Sequence, residues 1–172
     1  MKPRRDELGL DEIDRRILML LQADCKTPLA KIGEKVGLSA PSVVDRVRKL
    51  EAEGFICGYH AQLDARRLGM DITAFIGVTV GNSKGIAVFE EQLERLPSVL
   101  ECHHVTGSYT LLLKVKTRDT QSLEDLIRTL RSIDGVERTE TSVVLSTKVE
   151  KLGVDGAALE TPPRGRPTLV RA

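Results

Sequence analysis

The segment TPLAKIGEKVGLSAPSVVDRVRKLEAEGFI, residues 27–56, contains two short runs of apolar residues with a helical period, separated by Gly37. Apolar residues at spacings of three and four lie on one face of a helix. Each run therefore predicts a short helix with one buried face, formed by Leu29, Ile32 and Val36 in the first and by Val43, Val47 and Leu50 in the second. A helix, a tight glycine turn and a second helix are the signature of a helix-turn-helix.

The residues at the predicted helix ends fit this interpretation. Thr27 stands where an N-cap hydroxyl would, and Pro28 would occupy the first helical position, where proline is tolerated. Gly37 can adopt the left-handed conformation that a tight exit requires. Ser39 is the candidate N-cap of the second helix, and an upstream helix capped by Asp11 completes a three-helix unit.

The second predicted helix has a polar, basic face. In a helix-turn-helix this helix enters the major groove of DNA, and its N-terminal residues meet base edges. Residues 55–59 are expected to be extended, as the wing of a winged helix-turn-helix or as the first strand of a linking hairpin. We predict that DNA is bound by Ser39, Pro41, Ser42, Arg46, Arg48 and Lys49.

A plain three-helix bundle with a solvated basic face is the alternative. Residues 1–64 contain 11 Lys and Arg and 11 Asp and Glu, so the net charge of this segment is zero. DNA-binding domains usually show a basic patch. Binding to DNA therefore requires that the cations gather on one face, away from the acids.

Composition restricts the class of protein. The chain has 172 residues and a formal net charge of +1, which argues against general coating of polyanions. No apolar run approaches the ~20 residues of a membrane span, and the N-terminus lacks the apolar core of a secretory signal. The three cysteines are widely spaced and odd in number, so we expect a reducing cytoplasm and no disulfide framework.

The second half of the chain changes to a mixed pattern. Alternating strands are expected near residues 72–80, 99–105, 109–116 and 138–147, with helices after the first and third strands. The order β-α-β-β-α-β is the split βαβ of a ferredoxin-like fold, which makes the whole chain α+β. The sheet face without helices would carry Phe75, Leu112 and Val144, so we predict a homodimer that covers it.

The predicted organisation has four parts. Residues 1–63 form the winged helix-turn-helix, residues 64–71 a linker, residues 72–150 the βαββαβ domain and residues 151–172 a disordered tail.

Several motifs in this order and spacing make the chain similar to the Lrp/AsnC, or feast/famine, family of transcriptional regulators. They are Asp11-Glu-Ile-Asp-Arg-Arg-Ile-Leu, Val36-Gly-Leu-Ser, Arg46-Val-Arg-Lys-Leu-Glu, Gly54-Phe-Ile-Cys-Gly-Tyr, Glu101-Cys-His-His-Val-Thr-Gly and Leu111-Leu-Leu-Lys. The resemblance covers roughly residues 10–148. It implies a DNA-binding N-terminal domain and a RAM-type C-terminal domain that dimerises, assembles into tetramers or octamers and binds amino-acid-like effectors.

The effector loop departs from the family pattern. Many members carry Gly-Asp-Tyr/Phe-Asp after the second strand, and those acids help to hold the effector's amino group. This chain has Gly107-Ser108-Tyr109-Thr110, which offers neutral oxygens where a buried ammonium needs a strong acceptor. We expect a weak or altered amino-acid response, or a loop that only shapes an interface. The candidate pocket residues are Thr106, Gly107, Ser108, Tyr109, Thr110, Thr139, Thr141 and Ser142.

Two further features concern metal binding and a second contact with DNA. Cys102, His103 and His104 invite a metal interpretation, but neighbouring residues on a strand point to opposite faces, so we predict no metal and no cofactor. In the tail, Arg164-Gly165-Arg166 followed by proline resembles the core of an AT-hook, which lies in the narrow minor groove of A·T tracts. A solvated linker is the simpler alternative.

The sequence thus predicts a non-enzymatic, sequence-specific transcriptional regulator that binds double-stranded DNA as an oligomer. Two alternatives stay open. Some haem-biosynthesis decarboxylases resemble this family, and His103 or His104 would then contact a tetrapyrrole. An architectural protein that coats DNA with little specificity is the other alternative.

Overall fold

The computed structural model describes residues 9–151 and 153–154. These residues form two compact units, which are treated separately below. The first is helical and ends at Ala61, and the described residues Lys151, Gly153 and Val154 are grouped with it; the second runs from Gln62 to Glu150. The predicted order of the three helices and of the βαββαβ elements is confirmed, but no strand forms at residues 55–59.

The helical unit contains α1 (Glu12–Ala23), α2 (Leu29–Val36) and α3 (Ala40–Ala52). Their apolar stripes meet in one core, whose fully enclosed members are Leu10, Ile17, Leu21, Ile32, Val36, Val43, Val47 and Leu50. The predicted cap of α1 is confirmed, because the Asp11 side chain accepts a hydrogen bond from the backbone of Asp14. Ser39 caps α3 in the same way, through the backbone N–H of Ser42.

Two predictions about this unit are wrong. Thr27 does not cap α2, since its hydroxyl donates to Asp24 Oδ2 at 3.1 Å and Pro28 occupies the cap position. The wing is absent as well: within residues 9–71 the structure contains no strand. Phe55 and Ile56 pack instead against the helical core. The backbone N–H of Phe55 donates to Leu50 O at 2.9 Å, which closes a Schellman motif behind Gly54 (φ 76°).

The second unit is a four-stranded antiparallel sheet in the order β2-β3-β1-β4 with two helices on one face. Its elements are β1 (Ile72–Val80), α4 (Ser83–Leu93), β2 (Val99–His104), β3 (Leu111–Thr117), α5 (Thr120–Arg131) and β4 (Val136–Val143). Alternate residues of β1 and β3 pack under the helices, where Phe89, Leu123, Leu126 and Leu130 cover them. This is the ferredoxin-like arrangement that the sequence predicted.

The opposite face of the sheet has no helix from its own unit. In this open face Phe75 of β1 is 39% exposed, and the register places it beside Lys114 of β3 and Ser142 of β4. Leu112, also on this face, is half-buried. Apolar side chains on this face are therefore exposed in the single chain, as the sequence predicted.

Candidate nucleic-acid interface and effector loop

The turn between α2 and α3 is as tight as the sequence predicted. Gly37 has φ 73° and ends α2, and the backbone N–H of Leu38 donates to Gly33 O at 2.9 Å. Gly33 is a residue that sequence reasoning missed. A Cβ on Gly33 would lie 2.5 Å from Leu38 O, so only glycine lets α2 approach the turn this closely.

The N-terminal half of α3 presents small polar side chains. Ser39, Pro41 and Ser42 are all exposed, and the two serine hydroxyls are 2.9 Å apart. Ser39 Oγ also accepts from the Ser42 backbone N–H at 3.4 Å. Both hydroxyls thus lie at the positive end of the helix dipole, a place suited to phosphate or base contacts.

The basic residues of α3 differ in their surroundings. Arg48 is exposed, and Lys49 is half-buried with an ion pair to Glu53 at 3.4 Å. A further cation that sequence reasoning missed is Arg16 of α1, whose Nη2 donates to Lys35 O at 2.9 Å. That contact satisfies a carbonyl near the C-terminus of α2, where the dipole favours a positive charge.

Arg46 is half-buried against the start of α1, and its side chain is 25% exposed. Its Nη1 lies 2.6 Å from Asp11 Oδ2 and 2.5 Å from Asp14 Oδ1, and both of those side chains are buried. Although burial opposes the charged forms, the hydrogen bonds to both carboxylates raise the pKa of Arg46, and the hydrogen bond from Arg46 lowers the pKa of Asp11. The predicted basic face of α3 therefore does not include Arg46 as a freely exposed side chain.

The loop between β2 and β3 contains both exposed residues and a residue that is hydrogen-bonded to β1. Thr106, Gly107 and Ser108 are exposed, whereas Thr110 has a structural role. Its Oγ1 accepts from Val80 N at 3.1 Å and donates to Val80 O at 3.4 Å. The loop is thereby fastened to the end of β1.

The other candidate effector residues do not gather on one side of the sheet. Thr141 pairs with buried Ile76, which places it on the helix side, and Ser142 pairs with Phe75 on the open face. Thr139 is on the helix side as well, where its Oγ1 accepts from Arg131 Nε at 2.7 Å. Within one chain, Thr141 and Ser142 therefore cannot both face a single pocket.

A cavity of about 570 Å³ lies at the other end of β1. Thr73 and Lys116 line it, together with charged residues that include Asp64, Arg66, Asp71 and Glu150. None of the predicted effector residues contributes to this cavity.

The two histidines of β2 point to opposite faces, as predicted. His103 Nε2 is 3.2 Å from Glu101 Oε2, and His104 Nε2 is 2.9 Å from Glu90 Oε1 of α4. Within residues 9–151 and 153–154, no three His, Cys, Asp or Glu side chains are grouped closely enough to hold a metal ion. In the same ranges, every helix is too short or too polar to cross a bilayer.

A capped helix-turn-helix joined to a βαββαβ domain defines a DNA-binding transcriptional regulator of the helix-turn-helix class. Residues 10–51 match the AsnC-type helix-turn-helix domain, and residues 73–154 match the Lrp/AsnC ligand binding domain. The chain belongs to the Lrp/AsnC family of transcriptional regulators.

Individual relatives agree with this assignment. The chain is 37% identical to the HTH-type transcriptional regulator FL11 of Pyrococcus horikoshii over 82% of its own length and 93% of that protein. Among solved structures, Escherichia coli AsnC matches with a TM-score of 0.77 at 31% identity, covering 82% of this chain and 95% of that one. A feast or famine regulatory protein from M. tuberculosis, complexed with L-methionine, matches with a TM-score of 0.79 at 30% identity, covering 84% and 98%.

Proposed function

We propose that α3 is the recognition helix and that Ser39, Pro41, Ser42, Arg48 and Lys49 contact operator DNA. The observation that supports this assignment is the exposed N-terminal half of α3, where two serine hydroxyls meet at the capped end and Arg48 follows on the exposed surface. Backbone contacts position such a helix, and side chains that reach base edges give it specificity.

Footprinting on the promoter beside the protein's own gene tests this proposal. One protected site supports a specific regulator, and diffuse protection along the fragment supports the architectural alternative instead. Arg48→Ala should then weaken binding and lower the salt slope of log Kd by about 0.9, the amount expected for one lost phosphate contact. An unchanged slope and affinity would remove Arg48 from the interface.

We infer that two chains pair through the open face of the sheet. Phe75 is exposed there and Leu112 is half-buried, an arrangement that a second copy of the same face would cover. Light scattering on the wild-type chain should give a dimer or a multiple of it. Phe75→Glu should shift the mass towards the monomer, while the exposed control Glu124→Gln should not.

We propose that the response to amino acids is weak or altered. The M. tuberculosis relative is complexed with L-methionine. Here the loop offers Ser108 and Thr110, and the Thr110 hydroxyl is already bound to Val80. Calorimetry against the twenty amino acids should therefore show no tight binding. Sub-millimolar binding of a common amino acid would refute the proposal.

We further propose that the protein acts on DNA in the cytoplasm without catalysing a reaction. The tetrapyrrole decarboxylase alternative gains no support from His103 and His104, because each faces a carboxylate on a different side of the sheet. A purified protein that is coloured, or that binds a haem analogue, would revive that alternative.

The C-terminal tail is proposed as an additional DNA contact. Arg164, Gly165 and Arg166 lie outside the described residues. The segment that leads to them is held by Gln22 of α1, whose Nε2 donates to Val154 O at 2.8 Å and whose Oε1 accepts from Val154 N at 3.1 Å. Deletion of residues 155–172 should lower affinity for A·T-rich DNA more than for G·C-rich DNA. Equal affinities before and after deletion would end the idea.

A further inference from the structure

The N-terminus of α1 forms a receptor for one guanidinium group. Asp11 uses Oδ1 to accept from the Asp14 backbone N–H at 2.8 Å, and Asp14 uses Oδ2 to accept from the Asp11 backbone N–H at 3.2 Å. This reciprocal capping box leaves Asp11 Oδ2 and Asp14 Oδ1 free of capping. Both of these remaining oxygens contact the same nitrogen of Arg46.

The position of Arg46 on α3 makes this contact a constraint on the helix. Arg46 follows buried Val43 by three residues and precedes buried Leu50 by four, so it borders the apolar stripe. The apolar stripe alone is tolerant of small rotations, because hydrophobic contacts are not directional. The two short, charge-assisted hydrogen bonds that Arg46 donates to Asp11 and Asp14 are directional, and they specify one rotation of α3.

The net charge around Arg46 also distinguishes this residue from those proposed to contact DNA. Two carboxylates surround one guanidinium, so the group has a formal charge of −1 and does not attract phosphate. If Arg46 left to bind DNA, it would strand two carboxylates whose side chains are only 4% and 6% exposed, which is strongly unfavourable.

We propose that Arg46 is a positioning residue, clasped by Asp11 and Asp14, that sets the rotation of α3 and thereby aims Ser42 and Arg48 at the DNA. This inference deepens the proposed function and rests on α3 being the recognition helix. It replaces direct base or phosphate contact as the role of Arg46.

The sharpest test removes a negative charge and expects weaker binding. Asp14→Asn keeps an oxygen for the capping box but removes one of the two negative charges that hold Arg46. On electrostatic grounds alone, a less acidic DNA-binding domain should bind DNA more tightly. The proposal requires the opposite, a loss of DNA affinity of roughly tenfold, which is the scale of one mismatched base pair. The probe is a duplex that the wild-type chain has selected from a randomised library. Glu12→Gln is the matched control, because Glu12 is exposed on the same turn and its loss should not weaken binding.

Two readouts distinguish aiming from contact. In Asp14→Asn and in Arg46→Met, the preference for particular bases should weaken at several positions of the binding site. The dependence of log Kd on log salt concentration should keep its wild-type slope. Direct base contact by Arg46 would flatten one position only, and direct phosphate contact would lower the slope by about 0.9 in Arg46→Met. Either of these results overturns the proposal, and so does wild-type affinity in folded Asp14→Asn.

Controls keep the outcome decisive. Thermal unfolding establishes that each variant is folded at the assay temperature. If Asp14→Asn does not fold, Arg46→Gln takes its place and is judged by the same base preference and salt slope. Arg48→Ala tests the recognition helix separately. If the wild-type chain protects no DNA site in footprinting, the proposed function fails; if it protects a site, Arg48→Ala weakens binding and Asp14→Asn does not, only the positioning role of Arg46 fails.

Discussion

The aromatic ring of Tyr109 lies over Gly77 so closely that a Cβ on Gly77 would be 2.6 Å from two of its carbons. In the register of the sheet, Gly77 pairs with Leu112 of β3 on one side and with Glu140 of β4 on the other. A hydrogen bond to Glu140 raises the pKa of Tyr109. The side chain that follows the loop Thr106–Ser108 therefore extends across the middle of the open face.

This contact predicts that Gly77→Ala destabilises the sheet unit. The added methyl group must displace the ring of Tyr109, and overpacking of this kind typically costs about 1–3 kcal/mol in the free energy of unfolding. Denaturant titration measures the cost. In a Tyr109→Ala background the same change should cost clearly less, so an equal cost in both backgrounds would contradict the proposed clash.

Thr110 provides a second prediction, about the attachment of the loop. Thr110→Val removes the hydroxyl that joins both backbone groups of Val80, so stability should fall by about 1–3 kcal/mol, the cost of an unsatisfied buried N–H. Thr110→Ser keeps the hydroxyl and should stay within about 1 kcal/mol of wild type. A Thr110→Val variant as stable as the wild type would show that these hydrogen bonds do not stabilise the sheet unit.

The helix-turn-helix turn gives a third prediction. Gly33→Ala should destabilise the helical unit by about 1–3 kcal/mol, because its Cβ would meet the backbone oxygen of Leu38 and a backbone atom cannot easily move aside. Gly37→Asn should be milder, since Gly37 has open space around it and asparagine tolerates positive φ. Circular dichroism melts compare the two, and a stable Gly33→Ala variant would disprove the predicted crowding.

Tyr59 gives a prediction about alkaline pH. Partial burial and the hydrogen bond to Glu51 Oε1 at 2.9 Å raise the pKa of Tyr59 from 10.0 to about 12. Its contribution to stability is therefore complete below pH 10 and is lost as the pH rises towards 12. Phenolate absorbance in a Tyr109→Phe background reports this titration alone, since the chain has two tyrosines. Glu51→Gln should move the midpoint towards 10, and an unmoved midpoint would exclude Glu51 as a cause.

Local patterns were enough to predict the order of elements. Val43, Val47 and Leu50 specify the buried face of α3 by spacing alone, and Asp11 and Ser39 specify helix starts by their side-chain chemistry. The alternation in β1 and β3 likewise predicted which residues pack under the helices. Each of these signals lies within one element, so a linear sequence records it.

The candidate site was only partly predictable, because its residues meet across elements. The sequence places Arg46 at the edge of the apolar stripe of α3. Its sequence neighbours do not reveal that Asp11 and Asp14, at the start of α1, bind its guanidinium group. Phe55 and Ile56 have strand-forming side chains, yet they pack against the core of the helical unit just after α3 ends. The placement of Thr141 and Ser142 depended on the strand register, which loop spacing does not give.

By itself, the sequence determined that this chain forms a helix-turn-helix followed by a βαββαβ domain, since periodicity, capping and glycine placement act over a few residues. The tertiary structure alone decided which charges are available to a partner. Arg46 is paired with Asp11 and Asp14, whereas Arg48, two residues further along the same helix, remains exposed. The physical reason is that electrostatic energy depends on distance in space, and packing brings together charges that the chain separates by more than thirty residues.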